Sequence, residues 1–222
     1  MSSKKNQLRS FRDGLFHVQD AASQYCCEAL DVRAGQTVYD VCAAPGGKSF
    51  TLCQQMENTG GVYAFDLYPQ RVGLIATGAE WLAIENLYPA VHDASLPDDD
   101  RPKADRVLCD VPCSGLGVIA KKPEIRFKTP QDIDKLRDIQ YNILCVCAAY
   151  VKKGGKLVYS TCSLNPGENE DVVRRFLHEH PSFRTVPVLQ NVDKREEDNM
   201  CTLLPHRSRS DGFFITALSE TE

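Results

Sequence analysis

No stretch of this 222-residue chain holds the roughly 20 consecutive apolar residues that cross a bilayer as a helix. The opening Met1-Ser-Ser-Lys-Lys-Asn also lacks the apolar core of a secretory signal. Both absences point to a soluble, cytoplasmic protein with no membrane partner. Metal-ribbon pairs of the C-x-x-C kind are missing too, although the chain carries ten cysteines. Several of these, Cys26, Cys27, Cys53, Cys145 and Cys147, sit inside apolar runs, which is the pattern of reduced core thiols and not of a disulfide framework or a metal site. Excess charge is small as well. The net charge of −4 gives no broad electrostatic footprint of a nucleic-acid binder. Repeats and low-complexity blocks are absent, and the length suits one domain with a sizeable core, expected to be a monomer.

What charge there is lies in short runs. Basic residues gather at Lys4, Lys5, Arg9 and Arg12, again through 121–128, and at 206–209, while acids cluster at 98–100 and 196–198. Residues 1–13 are polar, basic and aperiodic, which suggests a tail or linker remnant ahead of a single domain over 14–220.

Within that domain, strand and helix patterns alternate. Asp20 can cap a helix carrying Ala21, Ala22, Tyr25, Cys26 and Leu30. A strand at 37–41 leads into a helix from Lys48 to about Glu57, then a strand at 62–65 ends on Asp66. Pro69 opens a third helix with Val72, Ile75, Ala76, Ala79 and Leu82 on one face. Further strands are expected near 88–92, 105–109, 156–161 and 212–218. A long helix near 131–151 should bury Ile133, Leu136, Ile143, Leu144, Cys147 and Val151. Such alternation implies an α/β fold with a doubly wound, mostly parallel sheet, in which ligands bind beyond the carboxyl ends of the strands. Four residues just past strands are acidic or thiol-bearing: Asp66, Asp93, Asp110 and Cys162.

The segment Thr37-Val-Tyr-Asp40-Val-Cys42-Ala43-Ala44-Pro45-Gly46-Gly47-Lys48 breaks from a β-branched strand into a Gly-rich turn that opens a helix. Such a turn lets backbone approach a nucleotide-like ligand closely. Gly47-Lys48-Ser49 matches the end of a phosphate-gripping P-loop, but the position that loop needs as glycine is Cys42. This counts against a nucleotide hydrolase. The stiff, apolar turn of Ala43, Ala44 and Pro45 suits a ligand without phosphates, such as S-adenosylmethionine. Asp66 is placed to accept hydrogen bonds from ribose hydroxyls or to cap the following helix, and Asp93 can accept from an adenine amine.

Sharper still is Asp105-Arg-Val-Leu-Cys-Asp110-Val-Pro112-Cys113-Ser114-Gly115, which puts a carboxylate, a proline turn and a thiol together at a strand's end. A second thiol, Cys162, stands where the strand Leu157-Val-Tyr-Ser-Thr161 stops. Thiols at the ends of separate parallel strands can face one pocket.

Asp40-x-Cys-Ala-Ala-Pro-Gly-Gly-Lys48, Asp110-x-Pro-Cys-Ser-Gly115, Thr161-Cys162-Ser163 and Asp211-Gly-Phe-Phe214 resemble the successive motifs of the Sun-type RNA (cytosine-5) methyltransferases. They stand in that family's order across nearly the whole chain. The run Lys122-Pro-Glu-Ile-Arg-Phe127 most resembles the RsmB branch, which acts on bacterial 16S ribosomal RNA. The resemblance implies a Rossmann-like class I S-adenosylmethionine-dependent methyltransferase catalytic domain acting on RNA. It implies Cys162 as the thiolate that adds to carbon 6 of cytosine, Cys113 as the thiol assisting breakdown of the adduct, and Asp110 on the Watson–Crick edge of the base. Lys48 would stand close to both. A Pro-Cys thiol is the nucleophile in DNA cytosine-5 enzymes, so the two cysteines could exchange roles; the resemblance favours Cys162. It also implies that the loop from Cys42 to Lys48 cradles the methionine part of the cofactor, and that an RNA-binding module of NusB-like kind belongs upstream. A helix amino terminus near 167–169 would help hold the thiolate. Transfer RNA as substrate, or a catalytically silent RNA-binding or assembly module of the same fold, are the alternatives.

Overall fold

The computed structural model describes residues 8–221; Lys4 and Lys5 lie outside the described residues. Within the segment expected as a tail, Arg9–Arg12 forms a helical turn (α1), and the Phe11 ring stands edge-on to Trp81 at 4.8 Å.

Helix α2 (Ala21–Leu30) starts where Asp20 accepts from the Ala22 amide at 3.0 Å and stops where Asp31 turns left-handed. Strand β1 (Thr37–Asp40) follows, then α3 (Gly47–Gln55), β2 (Gly61–Asp66), α4 (Pro69–Trp81) and β3 (Leu87–Val91). Strand β4 (Ala104–Asp110) and two 3-10 turns lead to the long α5 (Pro130–Ala149). A capping box between Thr129 and Asp132, with Pro130 in the first turn, sets where α5 begins. Then come β5 (Val151–Thr161), α6 (Glu170–Glu179), β6 (Phe183–Val186), β7 (Arg195–Glu197), β8 (Met200–Leu203), the short α7 (Pro205–Ser208) and β9 (Phe213–Glu220).

Among the described residues, nine strands form one sheet in the order β3-β2-β1-β4-β5-β9-β8-β7, with β6 also on β9. From β3 to β5 all neighbours are parallel, and β9 joins β5 antiparallel. The expected doubly wound sheet is present, with an antiparallel flank of β6 to β9 on one side. Sequence order reverses between β1 and β4, so the crevice beyond their carboxyl ends is the switch point. Helices α2, α3 and α4 bury residues such as Cys26, Leu52 and Ile75 on one face, and α5 and α6 bury Leu144, Cys147 and Phe176 on the other.

Some details differ from the sequence pattern. Val151 opens β5 instead of closing α5: the helix ends at Ala149, and Val151 pairs with Ala104 of β4. Ala76 is exposed, and the buried stripe of α4 is Ile75 and Ala79, continued by Leu82. Ile133 and Leu136 are half-buried.

Three distant segments meet beside the switch point. Lys121 donates to Asp20 at 2.6 Å and to Asp211 at 2.7 Å, and the Asp211 amide donates to Asp20 at 3.0 Å. The Gly212 amide bonds the Gly117 carbonyl at 2.9 Å, an approach so close that a Cβ on Gly117 would overlap that backbone.

Candidate functional site

β1, β2, β4 and β5 each deliver functional side chains at the carboxyl edge. After β1 the chain passes through Cys42, Ala43, Ala44 and Pro45 to Gly46, whose φ of 108° places it in the region open to glycine. A Cβ there would also collide with the Phe50 ring. The loop is pinned on both sides: the Ala43 amide donates to Phe65 at 2.8 Å and the Ala44 amide to Asp66 at 3.2 Å. Asp66 ends β2, is 2% exposed and is paired with Arg71 at 3.3 Å. Asp40, at the end of β1, accepts from Ser49 at 2.6 Å, while its other carboxylate oxygen is buried without a partner among the described residues. Burial pushes its carboxyl up to about 7. Asp93 lies beyond β3, with one oxygen turned to the Ser95 amide and hydroxyl at 2.9 and 2.7 Å. Those bonds lower its carboxyl below the usual range.

Lys48, in the first turn of α3, reaches across to Asp110 at the end of β4, with Nζ and Oδ2 2.6 Å apart. Burial alone would lower the Lys48 ammonium; Asp110 outweighs it, so the group stays charged. The second oxygen of Asp110 accepts from Ser160 at 2.8 Å, and Ser160 accepts in turn from the Cys26 thiol at 3.2 Å. Phe213, of the Asp211-Gly-Phe-Phe motif, lies with its ring centroid 5.2 Å from the Lys48 ammonium.

The two thiols at the ends of β4 and β5 do meet: Cys113 Sγ and Cys162 Sγ are 3.2 Å apart. The hydrogen bond from Cys113 lowers the Cys162 thiol below its ordinary value, with help from Lys48 and Lys122 and against burial and Asp110. The same bond, with burial, raises Cys113. The helix amino terminus expected near 167–169 is present: the 3-10 turn Pro166–Glu168 leads into Asn169, the N-cap of α6.

A cleft of about 260 Å³ opens over this pair, lined by Cys113, Cys162, Gly115, Ile125, Lys122 and Lys128. Lys128 also caps the Ser114 carbonyl at 2.8 Å. A larger hollow of about 650 Å³ lies at the opposite end of β1, among Thr37, Arg101 and Lys152, and contains none of these residues. Of the other basic residues singled out in the sequence, Lys121 is spent on Asp20 and Asp211, and Arg207 on Asp193.

Sequence reasoning passed over Ser160, Gln140 and, as a hydrogen-bonding group, Glu168. Glu168 is fully buried behind the thiols and binds the backbone and hydroxyl of Ser114 and the hydroxyl of Ser163. The only signal was its place six residues past Cys162, in a turn whose other residues are polar or Gly and Pro.

The family of 16S rRNA methyltransferases RsmB/F matches residues 27–219. A probable ribosomal RNA small subunit methyltransferase B of Bacillus subtilis (strain 168) is 39% identical over 216 residues, covering 94% of this chain and 48% of that protein. One of the same description from Synechocystis sp. is 38% identical over 221 residues, covering 96% and 50%. The chain thus spans about half the length of the curated relatives it matches. Among solved structures, NSun6 from Pyrococcus horikoshii with SFG superposes with a TM-score of 0.89 at 27% identity, covering 98% of this chain and 56% of that one.

Proposed function

The chain belongs to the 16S rRNA methyltransferase RsmB/F family, and on that footing we propose that it transfers a methyl group from S-adenosylmethionine to carbon 5 of a cytosine in RNA, with 16S ribosomal RNA as the substrate. The observation that carries this reading is the 3.2 Å thiol pair standing beside the 2.6 Å Lys48–Asp110 pair in one crevice.

The residues fit the cofactor. Small side chains from Cys42 to Gly47 leave backbone within reach of a methionine moiety. Asp66 is held by Ala44 and Arg71 with acceptor capacity remaining for ribose hydroxyls. Asp40 offers an unpartnered buried oxygen behind the loop. When bound, S-adenosylmethionine supplies an electrophilic methyl group on a sulfonium.

Carbon 5 of cytosine is too weak a nucleophile to take that methyl unaided. The Cys162 thiolate adds to carbon 6, forming a C–S bond and pushing an electron pair toward carbon 5; carbon 5 would then bond the methyl carbon as the methyl–sulfonium bond breaks and its electron pair stays on sulfur as a neutral thioether. Asp110 holds the Watson–Crick edge and stabilises nitrogen 3 as it gains proton character; Lys48 and Ser160 fix that carboxylate by one oxygen each. Loss of the carbon 5 proton to a base then returns the electron pair, the C–S bond breaks, and Cys162 leaves as thiolate, assisted by Cys113. A cytosine stacked in a duplex cannot enter so narrow a cleft, so the target is unpaired or flipped.

RNA affinity depends on phosphate contacts, and this chain, at −4, offers few cations beyond Lys122 and Lys128 at the cleft. Weak, salt-sensitive RNA binding is expected of it alone. The reading is tested by labelled methyl transfer to small-subunit ribosomal RNA. Wild type should label a cytosine, Cys162→Ala should lose transfer, and Cys113→Ala should accumulate a protein–RNA adduct on denaturing gels. Full turnover by Cys162→Ala, with adduct formation lost in Cys113→Ala, would reverse the two roles.

A further inference from the structure

The β4–β5 ladder fixes its strands only as far as Asp110 opposite Ser160, with one further bond from the Val111 amide to the Ser160 carbonyl at 3.1 Å. Both thiols lie past that point, on turns that leave the sheet, so the ladder does not set their separation. Glu168 spans the gap. One of its oxygens accepts from the Ser114 amide at 2.7 Å and from Gln140 at 3.1 Å; the other accepts from the Ser114 hydroxyl at 2.5 Å and the Ser163 hydroxyl at 2.7 Å. Ser114 follows Cys113 and Ser163 follows Cys162, and the two hydroxyls are themselves 2.9 Å apart. Glu168 is 0% exposed, and its four donors are neutral. What four converging donors on one carboxylate provide is a fixed distance between the residues that carry them.

We propose that Glu168 is a positioning residue that sets the Cys113–Cys162 separation and thereby the readiness of Cys162 to react. The inference rests on the methyltransferase reading for its purpose, but its test does not need RNA. The groups facing Cys162 are Cys113 and Asp110 from the end of β4, Lys48 from α3 and Lys122 from the loop beyond; of these, Cys113 is the one whose chain neighbour, Ser114, is bonded to Glu168.

The measurement is the pH profile of iodoacetamide alkylation at Cys162, read on its peptide by mass spectrometry, for wild type, Glu168→Ala and Glu168→Gln, each with and without Cys113→Ala. Glutamine keeps an oxygen for the Ser114 amide and Gln140 and can donate to the two serine hydroxyls, which rotate to accept. Glu168→Ala should move the profile upward in pH and slow alkylation at pH 7 about 10-fold; Glu168→Gln should stay near wild type. In the Cys113→Ala background the effect of Glu168→Ala should disappear, since the contact it controls is already gone. A shift of equal size in both backgrounds, an unchanged profile, or a glutamine variant as impaired as alanine overturns the proposal. Should Glu168→Ala fail to fold, Ser163→Ala, which removes one tie, must show the same shift at smaller amplitude. In methyl transfer, kcat should fall in Glu168→Ala by up to about 10²-fold with KM for S-adenosylmethionine unchanged. Loss of transfer by wild type as well would count against the methyltransferase reading while leaving the alkylation result to stand by itself.

Discussion

Asp40 and Glu168 are both buried carboxylates near the crevice, and they differ in what surrounds them. Glu168 has four donors, whereas Asp40 has Ser49 and an oxygen with no partner among the described residues. Burial raises the Asp40 carboxyl from 3.8 to about 7. Because the folded value lies above the unfolded one, the native state holds more protons between these limits, and Asp40 lowers stability as pH climbs from about 4 through about 7. Melting curves of wild type and Asp40→Asn from pH 5 to pH 8 should show the wild type losing ground steadily to the variant; a pH-independent gap would contradict the assignment. At this scale the meeting of Cys162 with Cys113 and of Asp110 with Lys48 was legible, because thiols and charged groups at the ends of neighbouring parallel strands face one crevice. Glu168 was not legible. A glutamate in a polar turn ahead of a helix reads as a solvated cap, and only the packing of α5 and the Ser114 turn against it shows otherwise.

Among the elements, helix α5 depends on its capping box: the Thr129 hydroxyl accepts from the Asp132 amide at 3.3 Å, and the Asp132 carboxylate accepts from the Thr129 amide at 3.2 Å. Thr129→Ala should cost about 1 kcal/mol of unfolding free energy in denaturant titration. Helices and central strands were readable from their periodicity and caps, while three of the flanking strands were not. β7, Arg195–Glu197, is wholly exposed and charged, so nothing in its pattern separates it from a loop. β8, Met200–Leu203, is buried throughout and shows no alternation, and β6, Phe183–Val186, is too short to display a period. β6 and β8 become strands because β9 offers its far edge to them, and β7 because it pairs with β8, a long-range cause that local sequence does not record.

For the whole molecule, the crevice draws on both hydrophobic clusters: the Gly-rich loop after β1 sits on the α2–α4 side through Ala43, Ala44 and Phe50, while Val111, beyond β4, is rooted on the α5–α6 side. A ligand in the loop therefore stabilises the fold as a unit. S-adenosylmethionine at 100 times its Kd should add about 2.7 kcal/mol, raising the melting temperature by roughly 5–10 °C for a chain of this size. Asp66→Ala should erase most of that increment in a thermal shift assay, whatever it does to the ligand-free melting point. A variant with the full increment would show that Asp66 takes no part in holding the ribose.

The clasp of Asp20, Lys121 and Asp211 has a consequence in time. Asp211 and Gly212 stand just before β9, and Gly117, which receives Gly212, also bonds the Cys162 carbonyl at 2.9 Å. The wall beside Cys162 is thus closed by a segment translated well after Cys162 itself. Until β9 emerges from the exit tunnel and pairs with β5, the thiol cleft lacks that wall. Completion of the cleft therefore waits on the last strand of the sheet to be made.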